Sequence, residues 1–172
     1  MIKNYLFGFT LFLSLLAGKM HAQDVAVIAT SAPVSGCNLS ATENVVIRIF
    51  NYGPTDLSGM AIPVSYTING GAAVNEVANF VSFLPNSTAT YIFATVADLS
   101  VAGTYTIDAS TGLAGDVNPT NDAFTGYTAT NTAPSVGGTV SGGTNVCVSG
   151  NSGNLTLTGH TGNVLNLSLI HI

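Results

Sequence analysis

Residues 43–53 read Glu43-Asn-Val-Val-Ile-Arg-Ile-Phe-Asn-Tyr-Gly53, with Val45, Ile47 and Ile49 on one side of a period of two and Arg48 and Tyr52 on the other. That alternation predicts a central strand with one buried face, ended by a turn at Asn51-Tyr-Gly-Pro54. Upstream, Val25 and Val27 alternate with Ala26 and Ile28, which predicts a first strand over residues 24–30, closed by Pro33 and Gly36. The cleanest alternation sets Ile62, Val64, Tyr66 and Ile68 against Pro63, Ser65 and Thr67. Pro63 has no amide to donate, so this strand begins near it or leaves that side unpaired. Asn69-Gly70 follows, and both residue types tolerate the positive φ of a type I′ turn, so residues 72–78 should return antiparallel.

Leu84-Pro-Asn-Ser87 marks the next turn, and Ala89, Tyr91 and Phe93 offer a bulky inner face to a strand ending near Thr95. Leu99 is placed to plug the bottom of the core. A strand opens at Gly103-Thr-Tyr-Thr-Ile107, where Tyr105 has the position of a corner tyrosine whose hydroxyl ties back to upstream backbone. A loop rich in Gly, Asp and Asn spans residues 112–122, and residues 123–130 make the last strand. About seven short strands in roughly 100 residues predict an all-β chain folded as an antiparallel, immunoglobulin-like β-sandwich.

Composition sharpens this picture at two points. Only 6% of the 172 residues are charged, against roughly 25% in ordinary globular domains, so the polar surface consists mainly of Ser, Thr, Asn and Gly. The start, Met1-Ile-Lys-Asn and then an apolar run from Tyr5 to Leu16, reads as a signal peptide over residues 1–22, cleaved after Ala22. A membrane anchor is the competing reading, but a spanning helix needs about 20 apolar residues and Gly18-Lys19 interrupts this run early. The expected product is exported, secreted or held at the cell surface, with no membrane insertion after cleavage. Cleavage removes Lys3 and Lys19, and Arg48 alone then faces eight acids, a net charge of −7. A phosphate-binding face needs clustered Lys or Arg, so nucleic acid is excluded as a partner.

Four segments together resemble a CARDB-type domain, the cell-adhesion-related immunoglobulin-like module of secreted bacterial proteins. They are the 43–53 stretch, Val64-Ser-Tyr-Thr-Ile-Asn-Gly-Gly71, Gly103-Thr-Tyr-Thr-Ile107 and Gly115-Asp-Val-Asn-Pro-Thr-Asn-Asp122. The resemblance covers residues 23–130 and implies a non-catalytic module of a large exported or surface protein, without fixing a ligand. Residues 131–135 read as a linker. Residues 136–166, with Gly137-Gly-Thr-Val-Ser-Gly-Gly-Thr-Asn-Val-Cys147, resemble the start of a repeated β-module of proteins exported by the type IX route. That module is expected to be truncated, because about three strands cannot cover their own apolar face. Leu167-Ser-Leu-Ile-His-Ile172 matches the translation of a widely used sequencing adapter, so residues 167–172 are read as an artefact, with a natural terminal strand as the competing reading.

Candidate chemistry is sparse. Nucleophilic catalysis needs a positioned base, and His160, in a Gly-His-Thr-Gly turn, is the sole histidine outside the leader and the suspected adapter. It reads as a surface turn residue. Asp98, Asp108, Asp116 and Asp122 could pair as glycosidase carboxylates, but solvated turn positions explain them. The closely spaced oxygens of Asp116, Asn118, Asn121 and Asp122 are the candidate ligands for calcium, and Asx side chains capping their own turns explain the same residues with no metal; no cofactor is assigned. Cys37 and Cys147 could bridge in an exported chain, pair elsewhere or stay as thiols. Phe50 and Tyr52 could stack on a sugar, although the chain has no Trp. The expected function is therefore a non-enzymatic adhesion or spacer module, touching neighbouring modules of its own chain and an extracellular protein or glycan surface. The alternatives are an accessory module of a secreted hydrolase and a calcium- or glycan-binding lectin-like domain.

Overall fold

In a computed structural model, residues 22–142 and 154–164 are described. The expected leader up to residue 21, Cys147 and residues 167–172 lie outside them. Strands β1 (Val25–Ala32), β3 (Val46–Asn51) and β6 (Thr88–Ile92) form one sheet in the order β1-β3-β6. The facing sheet has the order β2-β8-β7-β4-β5, with β2 (Gly36–Cys37), β4 (Ala61–Ile68), β5 (Val74–Asn79), β7 (Gly103–Thr111) and β8 (Ala123–Thr132). The central-strand expectation holds, because β3 is hydrogen-bonded on both sides.

The period of two does the sorting. Val45, Ile47 and Ile49 are fully buried, as are Ile62, Phe83, Leu99 and Ile107, while Arg48 is exposed. Both sheets contribute to one continuous apolar core, in which each large buried side chain contributes about 1.5–3 kcal/mol. Asn69 (φ 50°) and Gly70 (φ 68°) turn β4 into β5 as the type I′ signal predicts. Pro63 lies three residues into β4, and its carbonyl accepts Gly112 N at 3.0 Å. Its nitrogen therefore faces the same side, next to the point where the β7 ladder ends at Thr111 opposite Val64. Tyr105 Oη donates to Val101 O at 2.7 Å, which makes it the expected corner tyrosine.

Two details add to the expected sandwich. The sandwich is not wholly antiparallel, because β2 pairs in parallel with β8 at Gly36–Asn131 and Cys37–Thr132. The first run crosses from one sheet to the other around Pro33, and its short second part lands beside the end of β8. β8 also runs two residues past the expected end of the last strand: Asn131 and Thr132 belong to it, and Asn131 is 5% exposed. Beyond the sandwich, β9 (Thr139–Ser141) and β10 (Thr156–Thr158) form a two-stranded antiparallel ribbon, exposed except for a half-buried Leu157.

Candidate functional site

The acidic loop was the best sequence candidate, and the fold brings it against the start of β1. Gln23 and Asp116 form an isolated parallel bridge, and Val117 N donates to Gln23 O at 2.9 Å. Asp116 uses both oxygens on backbone: Oδ2 accepts Val25 N and Oδ1 accepts Asn118 N, each at 2.8 Å. Asn118 Oδ1 accepts the Thr120 hydroxyl at 2.6 Å, and Asn121 Nδ2 donates to Asp24 Oδ1 at 2.9 Å. Gly53 packs close by, where a Cβ would lie 2.8 Å from Ala22 O and 2.9 Å from Asp24 N, so the turn after β3 requires glycine.

Two oxygens of this corner, Asn121 Oδ1 and Asp122 Oδ1, are buried without a partner. Burial pushes the Asp122 carboxyl above the usual carboxylate range, and the Asp116 and Asp24 charges add to that, with a smaller opposing bond from Thr111. The four calcium candidates are thus neighbours, but Asp116 and Asn118 are occupied as turn caps. Calcium takes about six to eight oxygens, whereas the side chains of the four candidates offer two buried free ones. Among the described residues no three metal-binding acids, histidines or cysteines converge, so the set does not fit the ion as it is arranged.

A second acidic corner escaped the sequence reading. Glu76 on β5 accepts Tyr91 Oη at 2.8 Å, Ala94 N at 3.0 Å and Thr95 N at 2.8 Å, tying the edge of one sheet to the edge strand of the other. Burial raises its pKa, but the Ala94 and Thr95 amides and the Tyr91 and Thr95 hydroxyls outweigh it and hold the carboxylate at about 2. Burial and the Glu76 charge push the Tyr91 phenol up to about 12. Beside it runs an aromatic chain of Tyr66, Phe93, Tyr91, Phe80 and Phe83, with successive ring centroids 4.7, 5.1, 6.4 and 5.3 Å apart. The missed signal was phase, since Glu76 falls in step with the inward-facing Val74 and Ala78.

Two buried asparagines follow the same rule. Asn51, in phase with Ile47 and Ile49, is fully buried; it donates to Thr55 O and Phe83 O and accepts Gly53 N. Asn131, in phase with Ala129, donates to Leu99 O and Ser100 O and accepts Leu39 N at 3.1 Å. Both close loops whose amides and carbonyls would otherwise be buried unpaired.

Seven of the eight acids accept at least one hydrogen bond from the chain itself: Asp24, Glu43, Asp56, Glu76, Asp98, Asp108 and Asp116. Asp98 and Asp108 cap Ser100 and Gly126, away from any paired arrangement. His160 is exposed beside the ribbon. A shallow depression of about 220 Å³ over Pro63, Ser65, Asn75 and Ser110 holds two hydroxyls 2.8 Å apart, below the roughly 300 Å³ at which ligand pockets begin. Cys37 is an exposed thiol whose Sγ lies 3.3 Å from Thr132 Oγ1. Phe50 and Tyr52 pack with ring centroids 4.4 Å apart and planes tilted by 52° on the outer face of β3 and its following turn, where Tyr52 is 53% exposed.

No family model matches the sequence, and no curated protein matches it. Among solved structures, the chain is similar to the crystal structure of the CARDB domain of a Pyrococcus furiosus protein in complex with di-metal ions. That match has 19% identity and a TM-score of 0.50 and covers 66% of this chain and 97% of that one. A solution structure of the same domain matches at 19% identity and a TM-score of 0.47, covering 65% and 97%. The archaellum periplasmic stator protein FlaG from Sulfolobus acidocaldarius matches at 20% identity and a TM-score of 0.33, covering 62% and 95%. At these identities the likeness establishes the fold alone: an all-β, immunoglobulin-like sandwich of the CARDB type.

Proposed function

We propose that this chain is a non-catalytic β-sandwich module, exported by a leader cleaved after Ala22, that spaces or presents binding surfaces within a larger extracellular protein. The observation that carries the reading is the use of its acids, seven of eight of which accept hydrogen bonds from the chain itself, several as turn caps at the surface. A general acid or base needs a carboxyl free to face substrate. The packed interior supports the same reading, and so does the CARDB-type fold. Among the described residues no helix is long and apolar enough to cross a membrane.

The partners that suit such a module are its neighbours in the chain and an extracellular protein or glycan surface. The test exchanges residues 23–132, in the protein that carries them, for an unrelated sandwich of equal length, and measures adhesion. A spacer leaves adhesion intact. Loss of adhesion, together with saturable binding of the isolated chain on a glycan array, would replace this reading with a lectin-like one. Loss of a hydrolytic activity instead would make the module an accessory of a secreted hydrolase. Running the array with and without calcium tests whether the di-metal occupancy of the Pyrococcus domain has a counterpart here.

A further inference from the structure

We propose that leader removal supplies the positive charge that the acidic corner lacks: the new α-ammonium of Gln23 pairs with the carboxylates around it and locks the start of β1 to the β7–β8 loop. The inference rests on the export reading, specifically on cleavage after Ala22. Its geometry is that of an extended chain, in which residues i and i+2 turn their backbone groups to the same side. Val25 N points at the loop, where it meets Asp116 Oδ2, and Gln23 O points the same way to take Val117 N. The nitrogen of Gln23 therefore faces the loop as well, in the bridge with Asp116.

The carboxylates of this corner are Asp24 on the same strand and Asp116 and Asp122 on the loop; Asp116 and Asp24 already accept Val25 N, Asn118 N and Asn121 Nδ2, and their charges act on Asp122. On the same loop, Asp122 Oδ1 and Asn121 Oδ1 are buried with no donor. No cation among the described residues answers them, since Arg48 lies mid-strand opposite Ala29 and Thr90. While the leader is attached, position 23 offers one neutral amide. After cleavage it offers a unit charge with three N–H donors, which both neutralises the repulsion and gives the unpartnered oxygens something to accept. Processing thus strengthens the fold that it releases.

The sequence makes the test clean. Both lysines precede residue 22, so a chain beginning at Gln23 has no lysine and its α-amine is the sole primary amine. Acetylation with an N-hydroxysuccinimidyl ester, followed by hydroxylamine to clear any thioester at the exposed Cys37 and any tyrosine ester, then leaves only that amine blocked and restores the neutral amide of the precursor. Mass spectrometry confirms the free end and separates it from acetylated or cyclised Gln23. Acetylation should lower the thermal midpoint by about 2–4 °C, and the shift should fall to half or less in Asp122→Asn. Asp122→Asn should also raise the midpoint of the acetylated chain but not that of the free-amine chain. An acetylation shift of zero, or one equal in wild type and Asp122→Asn, overturns the proposal; Asp24→Asn serves the same comparison if Asp122→Asn does not fold. The mass of the exported chain checks the premise separately. A different cleavage site would refute the export reading as stated, while the acetylation result on the Gln23 chain would still decide whether the ion pair forms.

Discussion

Glu76 and Asp122 are both half-buried acids on the rim of one sandwich, yet the fold drives them in opposite directions. Glu76 meets two backbone amides and a phenol, and its pKa falls to about 2. Asp122 has an oxygen with no donor and two carboxylates for neighbours, and its pKa rises. Burial pushes both upward, so the donors around each group, rather than its depth, decide the outcome. One corner is held together by its charge. The other is strained by it until a cation arrives.

The largest expected effect of breaking this contrast is Glu76→Ala, which leaves Ala94 N, Thr95 N and Tyr91 Oη without their charged acceptor and should cost about 2–3 kcal/mol in urea denaturation. Tyr91→Phe removes one of those bonds and should cost about 1 kcal/mol. Asp122→Asn in the N-blocked chain should have the opposite sign, a gain of under about 1 kcal/mol at pH 7, as suits a partly exposed charge group. The smallest effect belongs to calcium. Millimolar calcium should leave the thermal midpoint unmoved, because the Asp116 and Asn118 oxygens already serve as turn caps; a rise with calcium concentration would show that the loop rearranges to bind the ion.

Much of the sandwich was legible because its strands alternate cleanly. Val45, Ile47 and Ile49, the Ile62-to-Ile68 run and the Asn69-Gly70 turn each carry a local signal that the fold obeys. β2 was not legible, since two residues, Gly36 and Cys37, have no periodicity and pair only because the chain beyond Pro33 reaches β8. The end of β8 was not legible because Asn131-Thr-Ala-Pro134 looks like linker composition, whereas phase with Ala129 puts Asn131 inside. Glu76, Asn51 and Asn131 share that signature of a polar residue in step with a buried stripe. Such residues stay there because each is matched by backbone donors or acceptors from distant loops, and no local pattern records those partners. The acidic loop was found by composition, but which oxygens it leaves free depends on the start of β1, roughly ninety residues away.

The comparison has one direct test, the pH dependence of unfolding free energy for Glu76→Gln and for Asp122→Asn in the N-blocked chain, each against wild type. A depressed folded-state pKa gives stability that is present above the unfolded value, near 4.5, and lost as pH falls toward about 2. A raised one gives stability that is present below the unfolded value, near 3.8, and lost as pH rises through the folded value. Glu76→Gln should therefore be less stable than wild type at pH 7 and converge with it at low pH, while Asp122→Asn should be more stable at pH 7 and also converge as pH falls. Two variants shifted in the same direction at pH 7 would contradict the account.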